Sequence, residues 1–232
     1  MKKKLWRWLG RWLLLAVGLL LIYELWIFGH VLWWNWFDPS TSAFMEQRIQ
    51  VLADKNPDAK LRHKWVPYDK ISLNLKRALI AAEDANFLEH EGFDWEAIQK
   101  AYEKNLKKGK IVAGGSTISQ QLAKNLFLSG RRSSLRKLQE AIITIMIETV
   151  MTKQRIFEIY LNSIEWGNAV FGAEAAARYY FNHGAANLDA WEAARLAAMV
   201  PKPRYYDRNR DTPWLDAKTN LILERMPSAQ VP

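Results

Sequence analysis

The chain of 232 residues contains no cysteine and only four histidines, at positions 30, 63, 90 and 183. Without cysteine it can form neither a disulfide nor a thiolate metal site. No two histidines stand four residues apart, the spacing at which one helix face presents a pair of zinc ligands. A disulfide-stabilised scaffold is therefore excluded, and a zinc enzyme is disfavoured.

Strand patterns are also scarce, because few runs alternate apolar and polar residues over the length of a strand. The best candidate for a short strand pairing lies near residues 61 to 70, and Phe44 to Leu52 is a candidate amphipathic helix. Periodicity predicts further helices at about 73–89, 95–108, 117–128, 135–151, 153–163, 172–181, 189–199 and 216–226. Half of the residues are apolar, so the pattern predicts one mainly α-helical domain with a buried core.

Charge is almost absent from residues 12 to 37, a span of 26 residues with no Lys or Arg and only Glu24 as an acid. At 1.5 Å per residue, such a helix can cross a bilayer core of about 30 Å. Five cations precede the span, namely Lys2, Lys3, Lys4, Arg7 and Arg11. The positive-inside rule predicts that they hold the N-terminus in the cytoplasm and send the rest of the chain outward.

The end of this span favours an uncleaved anchor over a cleaved signal peptide. Trp33, Trp34 and Trp36 stand where an interfacial aromatic belt is expected. Trp12 to Tyr23 has the length of a signal-peptide core, but no small-x-small cleavage site follows closely. We therefore expect a cytoplasmic tail at 1–11, a transmembrane anchor at 12–37, a linker and membrane-proximal segment at 38–68, and the main folded domain at 69–232.

The net charge of +9 is unevenly distributed, because the first 11 residues carry five of the positive charges. Residues 38 to 232 retain an excess of +5, which suits an anionic lipid surface. The basic residues lack the interleaved aromatics of a nucleic-acid groove, so no nucleic-acid partner is expected.

The first polar cluster is Glu83-Asp84-x-x-Phe87-x-x-His90-x-Gly92-Phe93-Asp94. On a helix, Glu83, Phe87 and His90 would share one stripe, which suits a general base at a cleft wall. The alternative is an amphipathic helix with a solvated Glu, since charged side chains are mostly exposed. Gly92 can end the helix, and Asp94 can cap the next one from Trp95. The carboxylate is therefore expected beside a turn.

The second cluster is Gly114-Gly115-Ser116-Thr117-Ile118-Ser119-Gln120-Gln121. Its glycines suggest a phosphate loop, but Gly115 and Ser116 stand where a mononucleotide loop requires Lys and Ser or Thr. ATP or GTP binding is therefore disfavoured. A Gly-Gly turn with Ser116 as N-cap explains the first residues but not the two glutamines. Adjacent helical side chains point in different directions, so only one of Gln120 and Gln121 is expected to face a site.

The third cluster is basic and comprises Lys124, Arg131, Arg132, Arg136 and Lys137, followed by Glu140. Ser134 is expected to cap a helix running to about Met151, with one side buried through Leu135, Leu138, Ile142, Ile145 and Met146. One interpretation is an exposed Arg136–Glu140 pair worth less than ~1 kcal/mol. The density of cations instead favours a site for a multiply charged oxyanion such as a diphosphate.

Ser134-x-x-Lys137 matches the acylating serine of penicillin-binding enzymes, but it stands alone. The Ser-Asp-Asn and Lys-Thr-Gly partners that such enzymes need occur nowhere in the sequence. Transpeptidase chemistry is therefore not expected.

Together these clusters resemble the motifs of the monofunctional biosynthetic peptidoglycan glycosyltransferases, of glycosyltransferase family 51, which polymerise lipid II. The resemblance covers roughly residues 39 to 226, with five motifs in family order. The three clusters provide the first three motifs, with Ser119 where Thr is usual. The fourth is Lys153-x-x-Ile156-Phe157-Glu158-x-Tyr160-Leu161-Asn162, with Phe157 where Leu is commoner. The fifth is Glu192-Ala193-Ala194-x-Leu196-Ala197-Ala198 leading to Pro201, with Glu192 where Arg is usual.

The resemblance implies that residues 69–232 form a glycosyltransferase domain, which is lysozyme-like and mainly α-helical and has a subdomain that faces the membrane. It implies inverting transfer to the 4-hydroxyl of GlcNAc, with release of undecaprenyl diphosphate. The enzyme would sit in the bacterial inner membrane with its catalytic domain in the periplasm. Its partners would be lipid II, the growing glycan chain and membrane lipid, with cell-wall or division proteins as further candidates. Residues 96 to 113, which mix lysines with apolar residues, are the expected membrane-facing stretch, although a solvated helix would look the same.

The resemblance also assigns roles to individual residues. Glu83 would be the catalytic base and Glu140 the second catalytic carboxylate. Substrate binding would fall to Ser116, Gln121, Lys124, Arg132, Arg136 and Lys137. The site would be shaped by Asp84, Phe87, His90, Asn125 and Glu158. No cofactor is required, although a divalent cation, Mg or Mn, could sit on the diphosphate with Glu140 as its ligand.

Two other functions compete with synthesis. A lytic glycosidase of lysozyme type would use the same two carboxylates and the same sugar, but it has no need for a diphosphate-binding cluster. A catalytically silent membrane scaffold would need neither Glu83 nor Glu140 together with the cations.

Overall fold

The computed structural model describes residues 2–110, 114–131 and 133–232, with side chains from Trp6 onward. The chain divides into two compact units, and the boundary between them falls between Asp38 and Pro39. The first unit is helix α1, Lys2–Trp34. Its Trp6–Trp34 portion has 29 residues and a mean hydropathy of 2.1, long and apolar enough to span a membrane. The helix begins before the predicted anchor at 12–37 and ends before Trp36.

The second unit is mainly helical, as predicted. Its helices are α2 Ala43–Ala53, α3 Leu73–Glu83, α4 Trp95–Lys108, α5 Ile118–Phe127, α6 Ser134–Val150, α7 Lys153–Ser163, α8 Ala173–Phe181, α9 Ala190–Met199, α10 Pro203–Arg208 and α11 Pro213–Arg225. Short 3-10 turns lie at Tyr68–Lys70, Ala185–Asn187 and Met226–Ser228. A small sheet contains β1 Arg62–His63, β2 Glu165–Gly167 and β3 Val170–Phe171. In that sheet β3 is central, parallel to β1 and antiparallel to β2.

The core of this unit has two helical groups. In one, α9 packs between α3 and α11, and its residues Ala193 to Met199 are all buried. In the other, α5 packs against α6 and α7. Leu122 on α5, Ile143 on α6 and Phe157 on α7 are all fully buried. Burial of each such side chain contributes roughly 1.5–3 kcal/mol to stability. The catalytic candidates lie where the end of α3 meets α5 and α6.

The helix predicted at about 73–89 is wrong in its last six residues, because α3 ends at Glu83. The next residue, Asp84, leaves the helical conformation with φ −161°, and its carboxylate accepts hydrogen bonds from elsewhere in the fold. Glu83, Phe87 and His90 therefore do not share one helical stripe. Gly92 lies beyond the helix in a left-handed conformation with φ +86°.

Two of the three predicted N-caps shift by one residue. Thr117 caps α5 in place of Ser116, and its capping box uses the side chain of Gln120. Ser133 caps α6 in place of Ser134. These shifts leave Ser116 and Ser134 free of capping duty. The predicted cap at Asp94 is confirmed, because its carboxylate accepts from the Ala97 N–H at 2.8 Å.

The predicted buried side of α6 is also wrong. Leu135, Leu138 and Ile145 are 80%, 61% and 57% exposed. The buried face instead carries Glu140, Ile143, Thr144 and Ile147. The reason is that α6 packs on α5 and α7 through this face, which a periodicity argument cannot distinguish from the other apolar stripe.

Three elements of the fold were not predicted or only partly predicted. The β2–β3 hairpin and α10 have no counterpart among the predictions, whereas the expected pairing near residues 61 to 70 is present as β1. Segment 38–68 also does more than link two parts, because α2 packs against α5. The Gln47 side chain donates to the Leu128 carbonyl at 3.2 Å.

Candidate active site

Glu83 occupies the last position of α3 and faces α5. Its Oε2 accepts a hydrogen bond from Gln121 Nε2 at 2.9 Å. Gln121 Oε1 in turn accepts from the Tyr160 hydroxyl at 3.0 Å. The buried tyrosine on α7 therefore fixes which way the amide points, and the amide presents its N–H group to the carboxylate. Of the two adjacent glutamines, Gln121 faces the site, as expected for one of the pair, while Gln120 serves the cap.

The environment of Glu83 suits a base. Burial raises the pKa of its carboxyl above the ordinary value of 4.5, because removal from water disfavours the charged form. The Gln121 hydrogen bond and the positive charges of Lys218 and Lys124 oppose that rise. A carboxylate with a raised pKa accepts a proton more readily near neutral pH than a solvated one.

Asp84 holds this corner of the site together. Its Oδ2 accepts from the Ile118 N–H at the start of α5 at 2.9 Å, and its Oδ1 pairs with His90 Nε2 at 2.9 Å. A carboxylate at a helix N-terminus is favoured by the helix dipole. Asp84 thus ties the end of α3 to the beginning of α5, which fixes the separation of Glu83 and Gln121.

A packed layer lies behind this corner. The fully buried Phe87 contacts Phe157 with ring centroids 5.7 Å apart, and Lys153 Nζ lies 4.7 Å from the Phe87 centroid. Lys153 also donates to the His90 carbonyl at 2.5 Å and pairs with Glu148 at 2.8 Å. These contacts position the turn after α3 rather than the substrate.

Beside Glu83 lies a cationic cavity of about 610 Å³. Its walls come from the loop before α5, from α5 itself and from the first turns of α6. The lining residues are Ser116, Gln121, Lys124, Ser133, Ser134, Arg136, Lys137 and Glu140. Three cations and several hydroxyl groups therefore converge on one open space, which is the chemistry that a diphosphate requires.

Glu140 organises two of these cations. It is only 3% exposed, accepts from Arg136 at 2.6 Å and also pairs with Lys137. Arg136 and Lys137 precede it by one helical turn on α6. Lys124 lies on α5 rather than on α6. Burial lowers the pKa of its ammonium group, and the negative charge of Glu140 opposes that shift. The alternative interpretation of Arg136 and Glu140 as an exposed ion pair is therefore wrong, because the Glu140 carboxylate is buried.

Ser116 connects the two halves of the site. It lines the cationic cavity and also a smaller one of about 210 Å³ that includes Glu83, Asp84 and Asp94. Lys137 Nζ donates to Ser116 Oγ at 3.3 Å. Glu83 and the cationic cluster therefore border neighbouring cavities, and Ser116 lines both of them.

The structure brings most of the predicted residues together, with some exceptions. Asn125 and Glu158 line neither cavity; Glu158 instead accepts from the Tyr68 N–H at 2.9 Å and pairs with Arg155. Arg132 lies outside the described residues. Sequence reasoning assigned no role to Tyr160 or Lys218. Tyr160 belonged to the fourth motif, which was a usable signal, whereas nothing in the sequence connects Lys218 to Glu83.

Glu140, the expected metal ligand, has both of its oxygens in contact with cations, namely Arg136 and Lys137. Among the residues that the structure describes, no group of three or more His, Asp or Glu side chains is placed to hold a metal ion. A divalent cation on the diphosphate stays a prediction.

Comparison with known proteins identifies the family. The transglycosylase family model matches residues 48–227. A biosynthetic peptidoglycan transglycosylase of Nitrosospira multiformis is 62% identical over 226 residues, covering 97% of this chain and 98% of the relative. Proteins with the same description in Chromobacterium violaceum and Dechloromonas aromatica are 62% and 61% identical, covering 93% and 97% of this chain and 95% and 99% of theirs. The chain belongs to the transglycosylase family, whose domain is lysozyme-like.

Proposed function

We propose that this protein polymerises lipid II into glycan strands by inverting transfer to the GlcNAc 4-hydroxyl, with release of undecaprenyl diphosphate. The observation that carries the proposal is a half-buried carboxylate with a raised pKa, Glu83, beside a cavity lined by Lys124, Arg136 and Lys137. Family membership and relatives described as biosynthetic peptidoglycan transglycosylases support the same reaction.

In the proposed reaction, Glu83 takes the proton of the acceptor hydroxyl as that oxygen attacks C1 of the donor MurNAc. The C1–O bond to the diphosphate breaks, and its electron pair leaves with the diphosphate. Because the attack comes from the face opposite the leaving group, the configuration at C1 inverts. The donated hydrogen bond from Gln121 orients the carboxylate toward the acceptor.

The cations supply the other requirement of the reaction. Negative charge develops on the departing diphosphate, and prearranged cations stabilise it in the transition state. Arg136 and Lys137 are held in place by Glu140, so little reorganisation is needed when the charge appears. Diphosphate is a good leaving group, so no strong general acid is required. This is why the site has a cationic cluster where a hydrolase would place a protonated carboxyl.

We propose that the protein acts at the periplasmic face of the bacterial inner membrane, with α1 as its single span and its N-terminus in the cytoplasm. The span Trp6–Trp34 supports anchoring, and the five cations among the first 11 residues support this orientation. Exposed apolar side chains on α6 and α4, such as Leu135, Leu138 and Leu106, support contact of the catalytic domain with membrane lipid. Cell-wall or division proteins remain candidate partners.

The decisive experiment incubates the detergent-solubilised protein with lipid II and, separately, with preformed glycan. We expect glycan polymer from lipid II. No consumption of lipid II would indicate a silent scaffold, whereas breakdown of preformed glycan would indicate a lysozyme-like hydrolase. The same assay in the presence of a penicillin should give the same polymer, because Ser134 lacks the partner motifs that acylation needs.

A further inference from the structure

A second charged cavity lies apart from the catalytic residues. It has a volume of about 800 Å³ and is enclosed by α2, β1, α10 and the turn between β2 and β3. None of its lining residues lines either cavity of the catalytic site. Its walls carry six cations, namely Arg48, Lys55, Lys60, Arg62, Arg204 and Arg208. We call this cavity the α2–α10 pocket.

The acids near this pocket do not neutralise it. Glu165 is shared between Arg48 at 3.6 Å and Arg204 at 3.4 Å. Asp207 pairs with Arg210, which lies outside the lining, and accepts from the backbone of the β2–β3 turn. In the part of the chain that the structure describes, the four other lining cations have no carboxylate within 4.0 Å. The pocket therefore holds an excess of positive charge that a ligand could neutralise.

The turn between β2 and β3 forms the floor of the pocket and is held by hydrogen bonds. Ala169 is one of two described non-glycine residues with positive φ, at +64°, a conformation that costs an alanine free energy and often marks functional sites. The Ala169 carbonyl accepts from the Arg62 N–H at 2.7 Å. Asn168 accepts from the Arg48 guanidinium and donates its N–H to Asp207 at 2.9 Å. The turn between β2 and β3 thus contacts the side chain of one lining arginine, Arg48, and the backbone of another, Arg62.

One wall of the pocket is apolar. Val51 is 50% exposed on α2, next to Leu52, and the Tyr179 ring lies under the Arg62 guanidinium at 5.0 Å. A site that combines several cations with an aliphatic and aromatic wall suits a compact anion attached to a less polar group. A phosphate ester has this character.

We propose that the α2–α10 pocket binds a phosphate ester, carried either by the headgroup of an anionic phospholipid or by a soluble glycerophosphate. Lys55, Lys60, Arg62 and Arg208 would contact the phosphate oxygens, and Val51 would contact the glycerol or the first acyl carbons. Only eight residues separate the apolar helix α1 from α2 in the sequence, which favours a membrane phospholipid over a soluble ester. Phosphatidylglycerol is therefore the first probe. The site is independent of the proposed catalytic reaction.

The test uses the full chain in a neutral detergent, with bound ligand counted by native mass spectrometry. The probes are dihexanoyl phosphatidylglycerol, dihexanoyl phosphatidylcholine, sn-glycerol 3-phosphate and a poly-glutamate peptide. The variant Lys60→Ala/Arg208→Ala removes two cations from the pocket. Its matched control, Lys70→Ala/Arg225→Ala, removes the same charges from exposed positions elsewhere. Thermal melts confirm that both variants fold.

We expect phosphatidylglycerol to bind the wild type and the control alike, and at least about tenfold more weakly to the pocket variant. Phosphatidylcholine should bind weakly to all three. Glycerol 3-phosphate binding that depends on the same two residues, without added affinity from the lipid, supports the pocket and assigns a soluble source. Equal phosphatidylglycerol affinity in the pocket variant and the control overturns the proposal, as does preferential binding of the peptide. Lipid II polymerisation, measured in parallel, should be unchanged in both variants, so failure of this proposal is distinguishable from failure of the catalytic one.

Discussion

At the scale of single residues, the properties of Glu83 come from its neighbours rather than from its type. A glutamate at the end of an exposed helix would titrate near 4.5, whereas burial raises the pKa of this one. Gln121 donates to it, and Lys124 and Lys218 add positive charge, so the ionised form is still attainable. Burial and these opposing contacts together set how tightly the carboxylate holds a proton, which is the property that matters for a general base.

Glu83→Gln should abolish polymerisation while preserving the fold. The amide keeps the shape and the hydrogen bond but cannot accept the proton, and loss of a general base typically lowers the rate by roughly 10²- to 10⁴-fold. The initial rate of lipid II consumption measures the effect, and donor binding measured separately should persist. Turnover within about threefold of wild type would remove Glu83 from the mechanism.

The same substitution should stabilise the protein at neutral pH. Folding raises the pKa of Glu83, so the folded state binds this proton more tightly than the unfolded state. Stability therefore falls as the pH rises from the unfolded-state pKa to the folded-state pKa, and it stays lower above that. The uncharged amide removes this penalty, so the melting temperature of Glu83→Gln should exceed that of wild type at pH 7. The difference should shrink as the pH falls through the folded-state pKa and vanish below about 4.5, the ordinary value of the carboxyl.

Gln121→Met should move the acidic limb of the pH–rate profile to higher pH. The hydrogen bond from Gln121 lowers the pKa of Glu83, so its removal lets burial raise that pKa further, and the base is protonated at a higher pH. The measurement is kcat/KM for lipid II from pH 5 to 8. Tyr160→Phe is the companion variant, because it keeps the Gln121 donor and should shift the limb less. An unmoved limb in Gln121→Met would mean that Glu83 does not set it.

At the scale of elements, α6 is a scaffold for a charge triad. Its buried face carries Glu140, and one turn earlier Arg136 and Lys137 reach back to the same carboxylate. The opposite face exposes Leu135, Leu138 and Ile145. One helix thus presents cations to the cationic cavity and apolar side chains to its surroundings. Its packing on α5 and α7 decides which residues lie on which face.

Arg136→Ala/Lys137→Ala should lower donor affinity and rate together, because each charge-assisted hydrogen bond to the diphosphate contributes about 1.5–3 kcal/mol. The double variant also leaves Glu140 buried without a partner, which costs about 3–5 kcal/mol of stability. Adding Glu140→Gln should restore much of the melting temperature but not the activity. Thermal melts, circular dichroism and lipid II binding separate these effects. A folded triple variant that polymerises at the wild-type rate would contradict the role of the cations.

The loop before α5 depends on one of its two glycines. A Cβ on Gly115 would lie 2.9 Å from the Ile98 Cα of α4, whereas one on Gly114 would meet nothing within 4 Å. Gly115→Ala should therefore displace the loop that carries Ser116, destabilise the protein by about 1–3 kcal/mol and lower its activity. Gly114→Ala is the matched control and should behave like wild type in melting and polymerisation. Equal behaviour of the two variants would show that the loop tolerates the shift.

At the scale of the whole molecule, the chain joins an apolar helix to a helical catalytic unit. The absence of cysteine makes its topology directly measurable. Lys3→Cys places a thiol before the span and Gln230→Cys places one after the catalytic unit. We expect a membrane-impermeant maleimide to label Gln230→Cys in intact spheroplasts and Lys3→Cys only after permeabilisation.

Intact mass of the membrane-extracted protein completes this test. Retention of residues 1–37 is expected, because no cleavage site follows the apolar stretch closely. A mass that lacks these residues would establish a signal peptide instead of an anchor. Labelling of Lys3→Cys in intact spheroplasts would reverse the proposed orientation.

Features that depend on local pattern and composition could be predicted from the order of residues alone. A span with no cation and a single acid predicts an anchor, and helical periodicity predicts most of the helices. The resemblance of the polar clusters to known motifs indicated the family and the candidate residues. α4 and α7 begin and end where the sequence predicted, because caps such as Asp94 are local signals. The pairing of Arg136 with Glu140 is likewise a one-turn relation within one helix.

Tertiary structure alone decided the relations between residues far apart in the chain. Asp84 ends α3 early because its carboxylate finds His90 and the start of α5, and no local rule anticipates a partner 34 residues away. The link from Tyr160 through Gln121 to Glu83 joins three helices. Which apolar stripe of α6 is buried was also undecided by periodicity, because two stripes satisfied it and only packing against α5 and α7 selects one. Burial, and with it the raised pKa of Glu83, exists only once those helices are assembled.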